Sequence, residues 1–90
     1  MKREFTGQYE GKNRTKPIYV GDLVTLTIPR KSRLPDLVFF KVVKENGGFI
    51  IIYYSGPMHV GDPLYKQELN FQVFKVVGNV ETGIDENLLE

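Results

Sequence analysis

Ninety residues without a cysteine make one domain that holds itself together by packing alone, with no disulfide, thiolate metal site or cysteine nucleophile. Apolar residues at 41% and charged residues at 26% are ordinary globular values, and a chain this short buries only about 60 to 65% of the surface its unfolded form exposes. The basic residues near the start are followed by no apolar run, and the longest such run, Phe49 to Tyr54, is far too short for a bilayer. The sequence therefore predicts no signal peptide, no membrane span and a cytoplasmic location.

The net charge of +1 conceals an imbalance: residues 1–44 hold ten Lys or Arg against four acids, and residues 45–90 hold two against seven. Such halves could form a dipole that steers a partner, although a charged run is more often plain solvated surface.

In chain order, residues 1–16 are polar and rich in Gly, Asn and Lys from Phe5 onward, which predicts a partly flexible lead-in and not a strand. Pro17-Ile18-Tyr19-Val20 reads as a short extended piece and Gly21-Asp22 as a turn or bulge. Leu23 to Ile28 reads as a strand with one wet face, because its apolar positions alternate with Thr25 and Thr27. Pro29-Arg30-Lys31-Ser32-Arg33-Leu34-Pro35 is a basic loop bracketed by prolines, which lack the N–H a sheet ladder needs.

The most informative stretch runs from Asp36 to Ser55, where Leu37 to Lys44 and Phe49 to Tyr54 flank Glu45-Asn46-Gly47-Gly48. Asn46-Gly47 is the signature of a two-residue type I′ turn, since both residues take positive φ at little cost. That turn predicts a hairpin register with Lys44 facing Phe49, Val42 facing Ile51 and Phe40 facing Tyr53. Both faces of the first strand are apolar, with Leu37, Phe39 and Val43 on one side and Val38, Phe40 and Val42 on the other. Either a curled sheet or a neighbouring subunit must cover them.

Ser55-Gly56-Pro57 ends the hairpin, and Met58 to Pro63 reads as loop. Leu64 to Gln67 reads as a short strand, Glu68 to Asn70 as a turn, and Phe71 to Val77 as the last strand, broken by Gly78-Asn79. The acidic tail, residues 80–90, closes with one helical turn around Glu86-Asn87-Leu88-Leu89. Five to six short strands and no helical periodicity predict an all-β domain, either a small SH3-like barrel or a strongly bent β roll.

Four anchors recur in order along nearly the whole chain: Phe5-Thr6-Gly7, Ile18-Tyr19-Val20-Gly21-Asp22-Leu23-Val24, Val76-Val77-Gly78-Asn79-Val80, and Glu86-Asn87-Leu88-Leu89. The pattern resembles the YopX family, small proteins of phages and prophages in Gram-positive bacteria, with Val20 in place of the family's usual Glu and Gln8 in place of its usual Leu. The resemblance implies a phage origin and an SH3-like β roll. The family has no established activity, so the resemblance carries no functional residue onto this chain.

Individual residues offer little catalysis. Asp22 and Asp62 each follow Val-Gly, and this is ordinary turn chemistry in which the carboxylate caps backbone N–H groups. His59 is the single histidine, and with Asp62 it supplies two ligands at most, short of a metal site. Gly47-Gly48 lacks the Lys-Ser/Thr and the helix of a phosphate loop, and a single histidine in the whole chain argues against Ser32 or Ser55 as a hydrolase nucleophile. The expectation is a non-enzymatic phage accessory protein with no catalytic residue, metal or cofactor. It would bind another protein or itself through Phe39, Phe40, Tyr53 and Tyr54, aromatics being favoured interface anchors. The alternative is nucleic-acid binding through Arg30, Lys31 and Arg33 with Lys12, Arg14 and Lys16, cations on phosphates and bases on exposed rings. A sequence isoelectric point near 7.9 weighs against that alternative.

Overall fold

The computed structural model describes residues 3–10, 16–26, 37–58, 61, 66–68 and 74–88. Within them the chain forms β1 (Phe5–Glu10), β2 (Lys16–Tyr19), β3 (Asp22–Leu26), β4 (Phe39–Glu45), β5 (Gly48–Ser55), β6 (Lys66–Glu68), β7 (Phe74–Asn79) and β8 (Gly83–Ile84), then a 3₁₀ turn over Glu86–Leu88. No helix among the described residues is long and apolar enough to cross a membrane.

The turn chemistry holds. Asn46 and Gly47 take φ of 52° and 80°, the consecutive left-handed conformations of a type I′ turn. The pairs Lys44–Phe49, Val42–Ile51 and Phe40–Tyr53 all form. A Cβ at Gly47 meets no atom within 4 Å, so the cost of Gly47→Val comes from the positive φ, about 1 to 3 kcal/mol. A Cβ on Gly48 would lie an ordinary 3.7 Å from the Glu45 carbonyl oxygen, and Gly48→Ala is expected to melt close to wild type. Thermal unfolding of the two variants side by side checks this order.

The strands are antiparallel and lie in two sheets, β1-β2 and the six-stranded β6-β5-β4-β3-β7-β8. The all-β class is therefore observed, but the large sheet is not closed into a barrel. Among the described residues β6 pairs with Ile50 to Ile52 and β8 with Gly78 and Asn79, at opposite ends of the strand order.

Eight strands form among the described residues where five to six were expected, Glu68 closes β6 and does not open a turn, and β8 follows what reads as the last strand. Three further expectations need correction. The lead-in contains strand β1, which pairs with β2 through Phe5–Tyr19, Tyr9–Pro17 and Glu10–Lys16. Strand β3 has no wet face over Leu23 to Thr25: Thr25 is 5% exposed, and its hydroxyl donates to the Val38 carbonyl at 2.8 Å, which removes the penalty of burying it. Gly78-Asn79 lies inside β7, and the chain turns only afterwards, where Asn79 Oδ1 accepts the N–H groups of Glu81 and Thr82, each at 2.9 Å.

Alternation along the central strands sends neighbouring residues to opposite faces of the sheet, and this chain builds a buried cluster on each face. Val24, Phe40, Val42, Ile51, Phe74 and Val76 form one buried cluster, plugged by Ile18 from β2. Leu23, Leu37, Phe39 and Val77 form the other, against which Ile84 and Leu88 pack. The small hairpin thus caps one face, and the C-terminal turn, held by the Asp85 N–H on the Val77 carbonyl at 2.7 Å, caps the second. Further along the second face Val43, Ile50 and Ile52 stay half-buried and Tyr54 is exposed.

Candidate functional site

Covering the sheet from within removes half of the expected protein interface. Phe39 and Phe40 are 3% and 1% exposed and belong to the core. Tyr53 is half-buried, with its hydroxyl donating to the Gly56 carbonyl at 2.6 Å, and Tyr54 faces solvent. Of the expected nucleic-acid contacts, Lys16 opens β2 and is partly exposed; Lys12, Arg14, Arg30, Lys31 and Arg33 lie outside the described residues, as do His59, Asp62 and Ser32. Among the described residues no three His, Cys, Asp or Glu stand close enough to hold a metal ion.

The exposed aromatic surface lies on the β1–β2 hairpin. In β1, Phe5, Gly7 and Tyr9 point outward while Thr6, Gln8 and Glu10 turn inward, the period of two that a strand covering a sheet requires. Thr6 is buried, donating to the Ile18 carbonyl at 2.7 Å and accepting the Gln8 N–H at 3.2 Å. Between the Phe5–Tyr19 and Tyr9–Pro17 pairs the register shifts. Gly7, in that interval, has φ of 83°, a conformation glycine adopts freely at a β-bulge. The bulge draws the Phe5 and Tyr9 rings together, edge to face at 5.3 Å between centroids, and Phe5 also meets Tyr19 at 5.7 Å. Arg3 lies over the Tyr19 ring, its Cζ 5.1 Å from the centroid. Phe5 and Tyr9 remain 41% and 37% exposed.

The patch is anchored by Asp22, the carboxylate predicted to cap a turn. Its Oδ2 accepts the Tyr19 N–H at 2.9 Å, and its Oδ1 takes the Arg3 guanidinium. The two remaining acids of the hairpin are also engaged: Glu4 accepts Lys44 Nζ at 2.9 Å, and Glu10 accepts the Val76 N–H at 3.3 Å, covering part of the β7 edge. Burial raises the Asp22 carboxyl above its ordinary 3.8, outweighing the Tyr19 N–H and the Arg3 and Lys16 charges that lower it. The folded protein then holds this proton more tightly than the unfolded chain does. The resulting stabilisation is complete below pH 3.8 and is lost as pH climbs through the raised folded-state value. Asp22→Asn keeps an acceptor for Tyr19 and removes the titration. Its stability relative to wild type is therefore expected to improve from about pH 3 to about pH 7. Melting both proteins at the two pH values measures the change; a gap that stays constant contradicts it.

Sequence reasoning passed over Phe5 and Tyr9 as site residues, although the alternation Phe5-Thr6-Gly7-Gln8-Tyr9-Glu10 was there to be read as a strand with an aromatic face. Compared with known proteins, the chain matches no family model, no curated protein and no solved structure.

Proposed function

We propose that the protein is a non-enzymatic binding module, an accessory protein of the YopX-like phage kind, whose contact surface is the outer face of β1–β2. The observation that carries this reading is the patch itself: Phe5 and Tyr9 touch each other, each more than a third exposed, on a face whose backbone the bulge holds in place. Tyrosine and phenylalanine are among the residues enriched at contact surfaces, where a large rigid ring gives contact area at small entropic cost. The four ordered sequence anchors support the phage assignment.

A paired capture experiment tests the surface. Immobilised wild-type protein and the double variant Phe5→Ser/Tyr9→Ser are exposed to the same host lysate, and bound protein and nucleic acid are both identified. Because exposed side chains are being changed, the variant is expected to melt within about 4 °C of wild type, while a macromolecule retained by wild type is lost. Identical capture by two equally folded proteins overturns the reading.

A further inference from the structure

We propose that β1–β2 is a hinged cap that detaches as one unit about the junction of Val20 and Gly21 while the six-stranded sheet stays folded. The hairpin is braced within itself. The Thr6 hydroxyl donates to the Ile18 carbonyl, the Val20 N–H donates to the Glu4 carbonyl at 2.8 Å, and Phe5 packs against both Tyr9 and Tyr19. It forms a sheet of its own, and among the described residues no ladder joins it to the larger one. The boundary between the two bodies is sharp. Gly21 is fastened to the large sheet at both of its backbone groups, its N–H donating to the Val42 carbonyl and its carbonyl accepting the Val80 N–H, each at 2.9 Å. Val20 and Gly21 are neighbours in the chain and belong to different bodies, so the dihedrals between them are where the cap turns.

Side chains provide the fastening across the seam. Ile18 plugs the first cluster, and Asp22 holds the Tyr19 N–H and the Arg3 guanidinium. The Lys44–Glu4 pair is about half exposed at each end, and surface pairs of this kind contribute little. Glu10 reaches the Val76 N–H at 3.3 Å, a long bond. One inward group works against closure. Gln8 Oε1 is buried under the cap with no hydrogen-bond partner among the described residues, a costly placement that opening relieves by handing the oxygen to water. The surface uncovered is the first cluster, and its Phe40 and Phe74 rings keep their edge-to-face contact in either position because both belong to the large sheet. Supersecondary units commonly open in this way, below the free energy of global unfolding. The motion is independent of what the outer face of the hairpin binds.

Native-state amide exchange of the full-length protein, read residue by residue by NMR across low urea concentrations, provides the test. A detached two-stranded hairpin is marginal in water, so the cap's amides exchange once it opens. The Tyr19, Val20 and Val76 N–H groups are expected to exchange together, at least about tenfold faster than Gly21 and the β4–β5 ladder once intrinsic rates are divided out. Their rates should also rise less steeply with urea, since cap opening exposes less surface than unfolding does. Val76 is the most telling of the three: it lies inside β7, and only its Glu10 partner leaves with the cap. Gln8→Met keeps the length of the side chain and removes the unpartnered oxygen, so it should slow exchange at these three amides roughly 5- to 100-fold. A melting temperature at or above that of wild type shows that this variant is folded. One common rate and one urea slope for cap and ladder would mean that the hairpin leaves only when the whole domain unfolds, which overturns the proposal. So does a Val76 N–H that exchanges with the ladder, or a folded Gln8→Met protein whose cap amides exchange as in wild type.

Discussion

Replacing Phe40 with alanine is expected to lower the melting temperature by roughly 15 to 30 °C. Phe40 is 1% exposed and meets Phe74 edge to face at 5.7 Å, between Val24 on β3 and Tyr53 on β5 in the sheet. Truncation removes the ring's burial and leaves a cavity at the centre of the first cluster, together about 3 to 5 kcal/mol. A domain of this size has only about 5 kcal/mol in total. An interface role predicts the opposite behaviour, an unaltered monomer that no longer associates. Tyr54→Ala supplies the contrast: its ring is 41% exposed, and the change should stay within about 0.5 kcal/mol. Thermal unfolding with light scattering on both variants decides the matter, and a Phe40→Ala protein that melts like wild type would show that the ring is not in the core.

How much of this was legible from the residues depended on how local the cause was. Asn46-Gly47 specifies its turn through the φ values of two adjacent residues, and the period of two then carries the register outward, so Val42 met Ile51 as expected. The two apolar faces of β4 were equally plain. What covers them was not, because the covering residues, Ile18 on one side and Leu88 on the other, are far away in sequence. Leu88 sits in an acidic tail whose composition suggested solvent. In Thr25 and Thr6, polarity misled in the same way: each hydroxyl is buried because a particular carbonyl, Val38 or Ile18, accepts from it. The candidate surface was hidden by averaging. Gly, Asn and Lys between residues 11 and 16 gave the whole lead-in the look of a loop and obscured the alternation from Phe5 to Glu10. An aromatic residue type does not say which side of a sheet it faces. Phe40 and Phe5 differ only in what lies over them.

Gly56→Ala is the second substitution expected to cost a large part of the stability, and it tests the packing of the loop that follows the hairpin. Gly56 has φ of 112°, a conformation that side-chain-bearing residues rarely adopt. A Cβ there would also run into the Leu37 carbonyl oxygen and lie 2.8 Å from Val38 Cα and 3.1 Å from Leu37 C. These are main-chain atoms at the entry to β4, immediately before Phe39 and Phe40. They cannot give way as the end of a flexible side chain would, and shifting them drags core residues out of register. Gly47 separates the two contributions. It also has positive φ, 80°, but no atom lies within 4 Å of its Cβ position, so Gly47→Ala should lose only about 1 kcal/mol. Gly56→Ala combines backbone strain with overpacking and should lose about 3 kcal/mol or more, a fall of roughly 12 to 25 °C in melting temperature. Melting the two alanine variants in parallel measures the difference directly. If Gly56→Ala proves no worse than Gly47→Ala, the chain after β5 does not pass against Leu37 and Val38, and the seating of that loop on the start of β4 is wrong.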